Sequence, residues 1–215
     1  LKNPTDKEGT PVAVLTGGTN FSRNGIFGHS NVAHVVQDEA VADLYMKYWE
    51  LLNDDTAIDE LRSAVEELTP VPPIPLPKGT SVVFSPRNSL DALQYYADLA
   101  MTAKDGLFMT FAFGMHDLFK GVYDESTAGF RLALMEKKTR PYRNSESEQA
   151  KKKADEAAIQ KLRNKKENTF AIGNFIQTNE FDGWVAEQLT GFSTNVRFIH
   201  NKFMLIDPLG NDPVV

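Results

Sequence analysis

Apolar residues recur along this chain in short blocks whose spacing changes from strand-like to helical. Val12 to Thr16 has the density of a short buried strand and ends on Gly17-Gly18. A loop rich in Gly, Asn and Ser runs from Thr19 to Asn31, and Val32 to Val36 reads as a second strand. From Glu39 to Leu52 the period becomes helical, with Val41, Leu44, Tyr45, Tyr48 and Leu52 on one face. Asp54, Asp55 or Thr56 can cap a further helix that ends near Leu68. Five of the eight residues from Pro70 to Pro77 are then proline. Such a run is extended and stiff and belongs to neither a helix nor a central strand, so it reads as a linker.

Beyond the prolines, strands and helices alternate. Strands are predicted at Ser81–Phe84, Leu107–Phe113, Phe130–Met135, Thr169–Ile172 and Val196–Ile206. Helices are predicted at Ser89–Thr102, His116–Tyr123, Glu146–Lys166 and Glu180–Leu189. Alternation of this kind predicts an α/β fold, a sheet with helices on its faces.

Composition narrows the classes. The chain has 215 residues, 41% of them hydrophobic and 24% charged, enough for a packed core. No stretch of apolar residues is long enough to make a membrane-spanning helix. Cysteine is absent, which excludes disulfides, thiolate metal sites and cysteine nucleophiles. The four histidines, His29, His34, His116 and His200, are too scattered for a zinc site by spacing. A net charge of -6 speaks against a protein that coats nucleic acid. Residues 137–166 run against that trend, with eleven Lys or Arg against four Asp or Glu. A solvated helix explains them best, and contact with an anionic membrane surface is the functional alternative. No basic-then-apolar leader follows Leu1, and the run Pro213-Val214-Val215 resembles a strand cut short. The sequence therefore reads as a piece of a longer protein.

Two features carry chemistry. In the predicted strand Val196–Ile206, alternation puts Val196, Phe198, His200, Lys202, Met204 and Ile206 on one face. His200 and Lys202 would then project together from an interior face. A buried ammonium needs a carboxylate, a polar cavity or an anionic ligand to offset its desolvation. Asp207 falls on the other face and reads as a structural carboxylate at the strand end. The second feature is Thr16-Gly-Gly-Thr-Asn-Phe-Ser22, where Gly17 and Gly18 permit close backbone approach and Asn20 can donate to a phosphate oxygen. No Gly-Lys-Ser/Thr follows, so it is not a Walker loop. A faint echo links Leu205-Ile-Asp-Pro208 with Leu1-Lys-Asn-Pro4, as in an internal duplication.

These residues resemble the phospholipase D superfamily, whose signature is His-x-Lys-x-x-x-x-Asp followed by Gly-Gly/Ser-x-Asn, usually present twice. His200-Asn-Lys202-Phe-Met-Leu-Ile-Asp207 is similar to the first part, and Gly17-Gly18-Thr19-Asn20 to the second part of a preceding copy. Asn31-Val-Ala-His-Val-Val36, Tyr48-Trp49 and Asp207-Pro-Leu-Gly210 add to the likeness. A first-copy His-x-Lys and a second-copy Gly-x-x-Asn are not in the sequence. The resemblance implies a pseudo-symmetric α/β fold with mixed sheets flanked by helices. Residues 1–66 would be the C-terminal part of one half, 67–79 a proline-rich linker, and 80–215 the N-terminal and central part of the other.

It also implies phosphodiester hydrolysis or transfer without metal or other cofactor, through a phosphohistidine. His200 would be one of two catalytic histidines, assigned the acid/base role, with Lys202 and Asn20 binding the phosphate. Gly17 and Gly18 would line the substrate, and Asp207 and Asn31 would give structural support. Asn31 stands where a partner for the first-copy histidine commonly lies. His34 has no role in the family pattern and is expected to pack. The implied substrate is a phospholipid or another phosphodiester. A nuclease of the same superfamily and a non-catalytic fragment that binds an anion or a partner protein are the alternatives.

Overall fold

The computed structural model describes residues 9–27, 29–136, 145–172 and 198–215. The helix expected over 180–189 lies outside them. In chain order the elements begin with β1 (Val14–Gly17), α1 (Arg23–Phe27), β2 (His29–Ser30), β3 (Ala33–Val36) and α2 (Glu39–Asn53). There follow α3 (Ile58–Leu68), α4 (Asp91–Met101), β4 (Gly106–Phe111), α5 (Asp117–Glu125) and β5 (Phe130–Met135). The last are α6 (Glu146–Arg163), β6 (Asn168–Ile172), β7 (Phe198–Ile199) and β8 (Met204–Ile206). The fold is mixed α/β, with helices and open mixed sheets.

Two compact units divide the chain: Leu1–Gly17 with Ala33–Leu99, and Gly18–Val32 with Ala100–Val215. The division does not fall at the prolines. Thr69, at their head, is buried, and its hydroxyl accepts from the Phe84 backbone at 3.0 Å. Arg87 donates to the carbonyls of Thr69 and Phe84. The run is thereby held inside the first unit.

In that unit β1 pairs antiparallel with β3, Val14 opposite Val36 and Thr16 opposite His34. His34 is exposed on this ribbon, contrary to the packing expected of it. Asp38 caps α2 by accepting from the Val41 backbone at 3.0 Å. The apolar face of α2 then presents Tyr45 and Tyr48 to Phe84, edge-on and stacked respectively. Residues 81–84 form no strand, because Phe84 spends its backbone N–H on a threonine hydroxyl and anchors by its ring.

The second unit holds a four-stranded sheet in the order β6-β5-β4-β8. β4, β5 and β6 run parallel, and β8 joins β4 antiparallel. Parallel neighbours need crossovers, which α5 and α6 supply. Leu107, Ala133 and Met135 are fully buried, as expected of strands covered on both faces. Tyr123 of α5 is fully buried too, its hydroxyl donating to the Leu132 carbonyl at 2.7 Å. The lysine-rich α6 starts on a Ser145 cap, with acids in its first turn and bases in its last, matching the helix dipole. Only Ile159 and Leu162 of this helix are buried hydrophobics. Lys151, Lys152 and Lys161 pair with Glu148, Glu156 and Asp124, as on a solvated surface. Among the described residues, no helix is long and apolar enough to cross a membrane.

Candidate functional site

The site is built in the second unit, beyond the carboxyl ends of β4 and β5, where α/β sheets commonly open a crevice. β2 pairs parallel with β7, His29 opposite Phe198 and Ser30 opposite Ile199. The His200 backbone N–H continues that pairing, donating to the Ser30 carbonyl at 3.2 Å. Glu136, just past β5, accepts from the Ile199 N–H at 2.7 Å and fixes the short strand from its other side.

The single long strand expected over Val196–Ile206 is interrupted between β7 and β8. Thr110 of β4 causes the break. Its hydroxyl donates to the Asn201 carbonyl at 2.7 Å and accepts from the Phe203 N–H at 3.0 Å. The chain bows around that hydroxyl before β8 resumes at Met204, so strict alternation is lost. His200 is buried, but Lys202 does not share an interior face with it: its side chain is exposed. The Lys202 Nζ instead folds back to donate to the His200 carbonyl at 2.8 Å and lies 5.2 Å above the Phe113 ring. Partial desolvation of the ammonium against the protein lowers the Lys202 pKa from its ordinary value.

The His200 imidazole is held by the Asn31 side chain and by the Gly18 backbone. Its Nδ1 lies 3.0 Å from Asn31 Oδ1. The Asn31 amide nitrogen donates to the Gly25 carbonyl at 2.8 Å and, more weakly, to the His29 carbonyl at 3.5 Å. Two carbonyl acceptors settle which end of the amide is oxygen. Nδ1 therefore donates to the Asn31 oxygen. Burial, the Lys202 charge and His29 together lower the His200 pKa, against a smaller opposing effect of a hydrogen bond with the Gly18 backbone. The ring is thus neutral at neutral pH, as a general base or a nucleophile requires.

The remaining candidates lie as follows. Gly18 meets His200 through its backbone, and a side chain at that position would find nothing within 4 Å. The glycine that the loop cannot spare is Gly25, whose Cβ would fall 2.2 Å from the Asn20 carbonyl. Asn20 is exposed in the same loop, without a hydrogen bond to His200 or Lys202 among the described residues. Gly17 closes β1 in the first unit. Asp207, past β8, accepts from the backbone N–H groups of Lys104, Asp105 and Gly106, at 2.8 to 3.1 Å. Partial burial alone would raise its pKa, but those donations outweigh it and the carboxyl is held below its ordinary value.

Asn31 was expected to serve a first-copy histidine; its partner here is His200. Thr110, Phe113, Glu136 and His29 were not singled out by the sequence. Each lies in an ordinary apolar or loop context, and only the pairing of β7 and β8 with distant strands gathers them. Comparison with known proteins finds no matching family model, no matching curated protein and no matching solved structure.

Proposed function

We propose that this chain carries part of a metal-independent phosphodiesterase or phosphatidyltransferase site of the phospholipase D type, acting on phospholipid. One observation carries the reading: a buried His200 whose Nδ1 is committed to Asn31, with the Lys202 ammonium tethered to its own carbonyl. In this reading Nε2 of His200 exchanges the proton of the departing or entering alcohol, while a second imidazole attacks phosphorus and holds it as phosphohistidine. The exposed Lys202 ammonium and the Asn20 amide stabilise the non-bridging oxygens as they gain charge. Asn31 keeps the ring in the tautomer that the proton transfer needs. Gly18, with open space over its Cα, leaves room for a phosphate beside the imidazole.

This chain alone, without a first-copy His-x-Lys, is expected to be nearly inactive, so the test is turnover of phosphatidylcholine, bis(p-nitrophenyl) phosphate and DNA by a protein that carries both motif copies and by its His200→Ala variant. Headgroup release that falls by about a thousandfold in His200→Ala is expected. Equal turnover by both proteins would remove His200 from the mechanism. Cleavage of DNA and the small diester without lipid turnover would move the substrate to nucleic acid. Tungstate binding without any turnover would leave an anion-binding module.

A further inference from the structure

His29 stands at the site although no motif singles it out. Its ring centroid is 5.2 Å from that of His200, with the planes inclined by 42°. The parallel pairing of β2 with β7 sets this distance, since His29 lies opposite Phe198 and His200 follows directly on that strand. Rings at such a separation are in contact. No phosphoryl group fits between them, so the pair cannot serve as nucleophile and in-line acid on opposite sides of one phosphorus.

We propose that His29 is a positioning residue for His200, a second imidazole that braces the ring held by Asn31 and keeps it in its uncharged form. The word positioning rests on the catalytic reading of His200 given above. Two imidazolium ions in contact repel, so a charge on His29 disfavours one on His200. Burial and the Lys202 charge act on the His200 ring in the same sense as His29. Asn31 and Phe113 do not titrate, and the Glu136 carboxylate is engaged by the Ile199 N–H.

The experiment is an NMR titration of the histidine ring signals in the wild type, His29→Gln and His29→Phe, with the His200 signal identified by its loss in His200→Gln. In both His29 variants the His200 midpoint should rise by about half a pH unit or more, the size of a unit charge about 5 Å away under water-like screening. His29→Phe keeps a ring in place without a charge and so separates repulsion from burial. A wild-type midpoint in His29→Phe, with the other signals unmoved, would overturn the proposal. A raised midpoint, with no diester turned over by the protein that carries both motif copies, would uphold this pairing and count against the phosphodiesterase reading.

Discussion

The Asn31 carboxamide oxygen meets His200 Nδ1 at 3.0 Å across 169 positions of sequence. A neutral amide orients the ring without favouring its cation as a carboxylate would. Asn31→Asp should therefore raise the His200 midpoint by about one pH unit or more, because an adjacent negative charge favours the imidazolium. Asn31→Leu, which removes the acceptor, should move it the other way. NMR titration of the His200 ring measures both, and equal midpoints in the two variants would contradict the assignment of this contact.

Asp207 ties the end of β8 to the start of β4. Its backbone sits at φ 47°, a left-handed conformation that a non-glycine residue adopts at a cost. The three N–H groups that its carboxylate receives offset that cost. Asp207→Ala should destabilise the fold by about 1–3 kcal/mol at pH 7, the usual size for hydrogen bonds to a charged group. A carboxyl whose pKa is lowered by folding stabilises the fold above its unfolded value near 4. That contribution is lost as the pH falls through the lowered folded value. The gap between wild type and variant in urea denaturation should accordingly narrow on going from pH 7 to pH 2.5, and a constant gap would assign the cost to packing.

Much of the fold was legible because its elements are local. β5 begins and ends where the apolar run Phe130–Met135 does, and α2 and α6 start on Asp38 and Ser145, caps that satisfy their first free N–H groups. What could not be read is non-local. The strand expected through His200 and Lys202 fails on a hydroxyl about 90 residues upstream, that of Thr110. Residues 81–84 fail as a strand because Thr69 and Tyr48 take up the hydrogen bonds of Phe84 and Ser85. Of the site, His200 and Asn31 were legible as residues but not as a pair, and His29 was not legible at all.

Arg131 lies within β5 and is buried, with an exposure of 3%. Its guanidinium spans the Asn168 side chain and the carbonyls of Ser126 and Ala128, joining the α5–β5 turn to the start of β6. Glu167 is its nearest carboxylate, at 3.9 Å. Arg131→Met should cost about 2–4 kcal/mol, since it leaves buried acceptors without donors. Arg131→Lys should recover little, because one ammonium cannot reproduce the fork. Urea midpoints of the two variants decide this, and near wild-type stability in Arg131→Lys would show that charge alone suffices.

His200 makes stability pH-dependent in the opposite sense to Asp207. Folding lowers its pKa below the ordinary histidine value, so the unfolded chain binds the proton more readily. Above about pH 6.5 both states are neutral and the residue contributes no pH dependence. As the pH falls below that value, the unfolded state gains, until the folded pKa is passed and the loss is complete. His200→Gln removes this loss. Relative to the variant, the wild type should therefore lose stability between pH 7.5 and pH 5. Urea denaturation at the two pH values reads the difference directly. Parallel profiles would mean that His200 accepts its proton in the fold as easily as in water, and the neutral imidazole that the proposed chemistry uses would lose its physical basis.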